Sequence, residues 1–251
     1  MNGLEYAGWA AHDDHRMTRA AVIARAPEWW RKLADNGLRS AAAAKASPVA
    51  HAAARSPAPP KTLGWVCGIA CCGVSDPVTL AGSGTTLHET VQTEALADMA
   101  KQAGSGKRSI PLRWGHVGET VTTNAGLNLL FRVRQVAGFD ALFFEARLLD
   151  TVLNRRVLKD FEQGVLGASM SFNRADAWKT ERRGYGPVRV IRRARLDHLA
   201  LLPRESKEKP AYRAAWAAGR CSSGPGCPSA LRATVEAIAF EELVRQARAM
   251  S

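Results

Sequence analysis

Two serines, Ser169 and Ser171, stand two residues apart in a segment that alternates them with apolar side chains. Successive side chains of a β-strand point to opposite faces, so a strand here would place both hydroxyls on one face and the apolar residues on the other. Such a strand can present a nucleophilic serine to a cleft. The same pattern is also typical of an edge strand whose serines meet solvent, and it does not distinguish between the two hydroxyls.

A serine hydroxyl is a weak nucleophile at neutral pH and needs an adjacent base, which is most often a histidine. Of the six histidines, three lie in the first sixty residues and His88 lies in a predicted helix. His116 ends the mainly apolar segment Ile110–His116, and His198 lies within the segment Leu196–Leu202. Either one alone is typical of a structural histidine in a core strand. Together they are the candidates for the base.

Composition divides the chain into three parts. Residues 1–60 form an N-terminal extension that ends in an alanine- and proline-rich linker, Ser40–Pro60, which can bury little apolar surface. Residues 61–205 form the folded domain. Residues 206–251 form a basic C-terminal extension with a terminal helix, Ala230–Met250.

The apolar periodicity of the folded domain predicts strands and two helices. The helices are predicted over Thr86–Ala103 and Leu153–Gln163, each followed by a glycine. The strands are predicted over residues 63–74, 110–116, 127–136, 141–149, 165–172 and 188–202. This order favours an α+β or mainly-β domain, including a closed barrel, over a βαβ nucleotide-binding arrangement.

The chain carries a net charge of +12 and a pI near 10.0. Its basic residues concentrate in one stripe, namely Lys179, Arg182, Arg183, Arg189, Arg192, Arg193 and Arg195. Such a stripe can bind nucleic acid or an acidic protein, and it can equally be the solvated face of a hairpin. No zinc-finger spacing or RNA-binding aromatic motif accompanies it.

The five cysteines are odd in number and include an adjacent pair, Cys71 and Cys72, which does not indicate a disulfide framework. We expect them to be reduced, and those near residue 70 to be small buried side chains of a strand. No metal or cofactor is predicted. No apolar run reaches the roughly 20 residues that a membrane-spanning helix needs, so no membrane contact is predicted.

Five short motifs follow one another in the folded domain. In chain order they are Ile110–His116, Val117–Val121, Ala141–Leu148, Glu162–Phe172 and Arg189–Pro203. In content and order they resemble the prohead maturation proteases of tailed bacteriophages, a family that is similar to the herpesvirus capsid maturation proteases. The resemblance covers about residues 63–205.

The resemblance implies a serine endopeptidase in which Ser169 is the nucleophile and His116 its base. At the third position this group of proteases carries an acidic residue or a second histidine, and the alignment favours His198. Asp197 is the alternative. On a regular strand the two neighbours face opposite ways, so only a β-bulge would turn Asp197 toward His116.

The implied fold is a closed β-barrel with flanking helices, like that of the herpesvirus protease. The implied substrates are the scaffolding protein, the major capsid protein and the protease itself. The implied location is the assembling prohead in the host bacterial cytoplasm, and self-association into a homo-oligomer is compatible with it. Two other functions stay open: an inactive capsid-assembly or scaffold protein, and a basic nucleic-acid-binding protein.

Overall fold

A computed structural model describes residues 61–80, 84–105, 108–124, 129–224 and 226–249, without the side chains of residues 173–177. The predicted N-terminal extension, residues 1–60, lies outside the described residues. The strands are β1 Thr62–Cys72, β2 Val78–Thr79, β3 Thr86–Val91, β4 Leu112–Trp114, β5 Leu130–Val136, β6 Phe139–Leu149, β7 Leu166–Arg183, β8 Gly186–Leu202 and β9 Trp216–Cys221. The helices are α1 Thr93–Gly104, α2 Val152–Glu162 and α3 Ser229–Ala249.

The strands form one mixed sheet in the order β2-β3-β8-β7-β9-β1-β6-β5. The short strand β4 pairs with β8 as well. Both β3 and β4 run parallel to β8, at separate points along it, whereas β7 pairs antiparallel with β8 along most of its length. Because β7 occupies one edge of β8, the two parallel strands lie along the other edge.

The predicted closed barrel is wrong, because the sheet is open. Its order ends in β2 at one side and β5 at the other, and these two strands do not pair. Helix α1 packs against β5, β6 and β8. The Gln102 amide donates to the carbonyl of Ala194 in β8, and the Thr93 hydroxyl donates to Asp140 in β6. A helix therefore connects the regions that hydrogen-bonded strands would connect in a barrel.

The predicted helix over Thr86–Ala103 is wrong in its first part. Thr86–Val91 forms β3, and α1 begins only at Thr93. The apolar spacing of Leu87 and Val91 suits a helix, but it also suits a strand that buries alternate residues, as β3 does. Pairing with β8 favours the strand over the helix. The backbone amide of Gln92 extends this pairing by donating to the carbonyl of Ile191.

Strand β1 is buried on both faces, which explains its continuous apolar sequence. One face joins a core that includes Leu96 of α1 and Phe161 of α2, and the other joins a core that includes Leu243 of α3. Cys71 belongs to the first core and Cys72 to the second. Both are buried, as predicted for these cysteines.

The segment predicted as a C-terminal extension contributes two elements to this fold. Strand β9 lies between β7 and β1 in the sheet, and α3 covers one face of β1. The loop before β9 also packs inward, since Tyr212, Ala214 and Ala215 are buried. These residues therefore help to hold the strand that carries the candidate serine.

Candidate active site

Ser169 lies in the first third of β7, where the strand has neighbours on both edges. It pairs with Ala200 of β8, and the adjacent Ala168 amide donates to the carbonyl of Ala215, ahead of β9. Ser169 is only 8% exposed to solvent. Ser171 lies opposite His198. The backbone around the serine is thus held on one edge by β8 and on the other by the segment that leads into β9.

His116 lies in a tight turn directly after β4. The Gly115 amide donates to the carbonyl of Leu201 at 2.8 Å, which ties the turn to β8. Gly115 has a positive φ of 81°, a conformation that favours glycine. A side chain at Gly118 would meet the Trp114 carbonyl oxygen at 1.5 Å. These two glycines allow the chain to turn back and aim His116 at β7.

The three predicted site residues come together in the structure. His116 Nε2 lies 3.0 Å from Ser169 Oγ, and His116 Nδ1 lies 2.9 Å from His198 Nε2. The two imidazole rings are edge to face, with 5.2 Å between their centroids. These contacts have the order of a nucleophile, a base and a group that orients the base.

Asp197 contacts His198 on the side away from His116, so the two residues do not compete for the same position beside His116. Ser171 pairs with His198 and Phe172 with Leu196, so Asp197 is an extra residue in β8, as in a β-bulge. Its Oδ2 lies 2.9 Å from His198 Nδ1. The bulge that the sequence analysis required for Asp197 is therefore present, but His198 is the side chain that reaches His116.

Arg108 completes this line of side chains and was not singled out from the sequence. Its Nη2 lies 2.9 Å from Asp197 Oδ1. Arg108 precedes β4 and is 89 positions from Asp197 along the chain. No spacing rule links residues so far apart, because only the parallel pairing of β4 with β8 brings the two segments together.

The surroundings keep His116 ready to accept a proton. Burial lowers the pKa of His116 below its ordinary value. Glu208 acts in the opposite direction, while the neighbouring His198 and Arg113 lower it further. The base is therefore largely neutral at pH 7. The hydrogen bond from His198, assisted by Arg108, lowers the pKa of Asp197, so this carboxyl is ionised.

No protein-family model, curated protein or solved structure matches the chain. Among the residues that the structure describes, no three His, Cys, Asp or Glu side chains cluster so as to hold a metal ion. In the same part of the chain, none of the helices has the length and apolar character needed to span a membrane. The contacts of Ser169, His116 and His198 are the observations from which a function can be inferred.

Proposed function

We propose that the protein is a serine endopeptidase with Ser169 as nucleophile, His116 as general base and His198 as the group that orients the base. The observation that carries this proposal is the pair of consecutive hydrogen bonds from Ser169 to His116 and from His116 to His198. A serine on an edge strand facing solvent would need neither histidine. Here the serine is almost fully buried and faces the neutral ring of a base.

The chemistry follows from this arrangement. His116 Nε2 takes the proton of Ser169 Oγ as that oxygen attacks the peptide carbonyl carbon. The protonated His116 then gives the same proton to the leaving amine as the C–N bond breaks, which leaves an acyl group on Ser169. A water molecule, deprotonated by His116, attacks the acyl carbon. The acid product leaves, and the proton returns to Ser169.

The biological setting of the proposal comes from the five motifs between Ile110 and Pro203. They support a prohead maturation protease that cleaves scaffolding protein, major capsid protein and itself inside the assembling prohead of a bacterial host. The two motifs that carry Ser169 and His198 are neighbouring strands, β7 and β8, and the motif that carries His116 runs alongside β8. A family relationship would require this proximity.

A fluorophosphonate probe tests the nucleophile directly. Such probes phosphonylate an activated serine, and mass spectrometry of the full chain locates the modified residue. We expect labelling on Ser169, its loss in Ser169→Ala, and its retention in Ser171→Ala. Ser171 is the matched control because it lies on the same strand, two residues away, opposite His198.

The same variants should be incubated with the scaffolding protein. Cleavage that disappears in Ser169→Ala but not in Ser171→Ala would support the endopeptidase. Labelling on Ser171 would mean that the nucleophile is wrongly assigned. Absence of both labelling and cleavage in a folded wild-type protein would favour the inactive assembly protein.

A second candidate function, binding of single-stranded nucleic acid, is favoured by the far end of the β7–β8 pair. Trp178 is 51% exposed there. Arg182, Arg192, Arg193 and Arg195 are exposed too. None of these four arginines is ion-paired among the residues whose side chains are described. An exposed aromatic ring can stack on a base while free arginines contact phosphates. Affinity for single-stranded DNA over a series of salt concentrations tests this function.

A further inference from the structure

The hydrogen-bonded line that starts at Ser169 does not end at His198. His198 Nδ1 lies 2.9 Å from Asp197 Oδ2, and Asp197 Oδ1 lies 2.9 Å from Arg108 Nη2. Each carboxylate oxygen thus has its own partner. The line runs through five side chains, since Asp197 and Arg108 extend it beyond Ser169, His116 and His198.

We propose that Asp197, held by Arg108, is a positioning residue that sets the tautomers of both histidines and supplies the negative charge that a second histidine lacks. This inference rests on the proposed endopeptidase function. Asp197 acts through His198 and does not touch the reacting atoms. Arg108 in turn fixes which way the carboxylate faces.

The direction of every hydrogen bond follows from the carboxylate. An ionised carboxylate can only accept, so His198 Nδ1 carries the hydrogen. In neutral His198, Nε2 then has the lone pair and accepts from His116 Nδ1–H. His116 Nε2 is left with its lone pair directed at Ser169 Oγ, which is the arrangement that a general base requires. Without Asp197, neither of the other two hydrogen bonds of the histidine pair selects this tautomer over its reverse, because a serine hydroxyl can both donate and accept.

The carboxylate also matters for charge. When His116 takes the serine proton, the pair of histidines becomes positive, and a neutral imidazole cannot compensate for that as a carboxylate does. Among the groups that act on His116, Glu208 favours the charged ring, while His198 and Arg113 oppose it. Asp197 adds a negative charge directly behind His198, with Arg108 as its counter-ion.

The fold provides for this contact through the bulge in β8. On a regular strand Asp197 and His198 would face opposite sides of the sheet. The extra residue at Asp197 removes that alternation locally and lets the carboxylate bond to the ring of the next residue. A strand without a bulge would need a separate segment to bring a carboxylate to His198.

Asp197→Asn is the decisive variant, because Arg108 determines how the new amide turns. An arginine can only donate, so Arg108 hydrogen-bonds to the oxygen of the new amide, and the NH₂ group of that amide then faces His198 Nδ1. That group donates, so both histidines must adopt the reverse tautomer and His116 Nε2 carries a hydrogen. We expect kcat/KM for peptide hydrolysis to fall by about 10²–10⁴-fold, as for loss of a correctly oriented base.

Two further readouts separate positioning from a merely structural role. ¹⁵N NMR of the histidine rings should show the Nδ1–H tautomer of His198 in the wild type and the Nε2–H tautomer in Asp197→Asn. The pH profile should also change. Hydrolysis is lost as the pH falls through the pKa of His116, which burial holds below its ordinary value in the wild type. Without the carboxylate this acid limb should move to still lower pH, because protonating the histidine pair becomes less favourable.

Removing Arg108 as well gives a rescue test. In Asp197→Asn/Arg108→Ala the amide is free to turn its oxygen toward His198. We therefore expect kcat/KM to be about tenfold higher than in Asp197→Asn alone, the equivalent of one hydrogen bond. Asp76→Asn is the matched control, since Asp76 also pairs with an arginine, Arg213, at 2.6 Å, but contacts none of the histidines that the structure describes. It should leave kcat/KM and the acid limb unchanged.

The outcomes separate this inference from the proposed function. An Nε2–H tautomer of His198 in the wild type, or an acid limb that Asp197→Asn does not move, overturns the role of Asp197 even in an active protease. The expected tautomers in a wild-type protein that neither labels nor cleaves would overturn the protease and leave the positioning of the histidines standing.

Discussion

The strand pair β7–β8 has two halves that differ in what surrounds them. The proximal half, residues 166–171 with 198–202, has β9 beside β7 and β4 beside β8, and it contains Ser169 and His198. The distal half, residues 178–183 with 186–195, has β3 along part of one edge. It buries Val188, Val190 and Ile191 but exposes most of its arginines.

The two halves show that strand neighbours, rather than residue types, decide which half can do chemistry. Polar side chains occur in both halves. In the proximal half adjacent strands exclude water, so a serine and a histidine there meet each other at fixed distances. In the distal half most of the arginines meet solvent, where they can form a surface for a partner.

Substitutions at the site of the proximal half should reduce activity more than any other change. His116→Ala removes the base, so we expect kcat/KM to fall by at least about 10²–10⁴-fold. His198→Ala removes one hydrogen bond to a group that becomes charged, so about 10–100-fold is expected. Steady-state hydrolysis of a scaffold-derived peptide measures both, with circular dichroism as the check on folding.

A loss in His198→Ala that exceeded the loss in His116→Ala would contradict the assigned order of the two histidines. Affinity for single-stranded DNA should stay unchanged in both variants, because neither residue lies in the distal half.

The next effect concerns stability. Leu199 is fully buried in the proximal half, so Leu199→Ala should lower the free energy of unfolding by about 2–5 kcal/mol. Arg193 is exposed in the distal half, and Arg193→Ala should change it by no more than about 0.5 kcal/mol. Urea unfolding curves measure both. Equal losses would show that the distal arginines are part of the packing rather than a surface.

The smallest effect tests the distal half as a nucleic-acid surface. In Arg192→Ala/Arg193→Ala/Arg195→Ala, three potential phosphate contacts are gone. The slope of log affinity against log salt for single-stranded DNA should therefore become shallower by about 2, at roughly 0.7 per contact. Scaffold cleavage should not change, since these residues lie away from Ser169. An unchanged slope would leave the stripe as a solvated face.

Several local features could be predicted from the sequence. The helix at Val152–Glu162 follows from its apolar spacing and from Gly164 after its end, and Thr151 caps it as expected for a helix start. The terminal helix over Ser229–Ala249 was predicted to within one residue at each end. The pairing of Ser169 with His116 and His198 was predicted from the motifs, and the geometry is compatible with it. Their catalytic roles stay predictions.

Other features depend on distant parts of the chain and could not be predicted. Apolar alternation is a property of neighbouring residues, and it indicated strands at β5, β6, β7 and β8 without any partner. Whether the sheet closes depends on which edges meet, and α1 occupies that region instead. The short range Thr86–Val91 became a strand because β8 offers it a parallel edge and β2 an antiparallel one.

The candidate site divides in the same way. The sequence alone predicts Ser169, His116 and His198 as candidates, because each lies in a short motif or next to an apolar strand. The bulge at Asp197, its contact with Arg108 and the insertion of β9 beside the serine strand are set by the tertiary structure. They require register between segments tens of residues apart, and register is decided by the packing of the whole sheet rather than by any one strand.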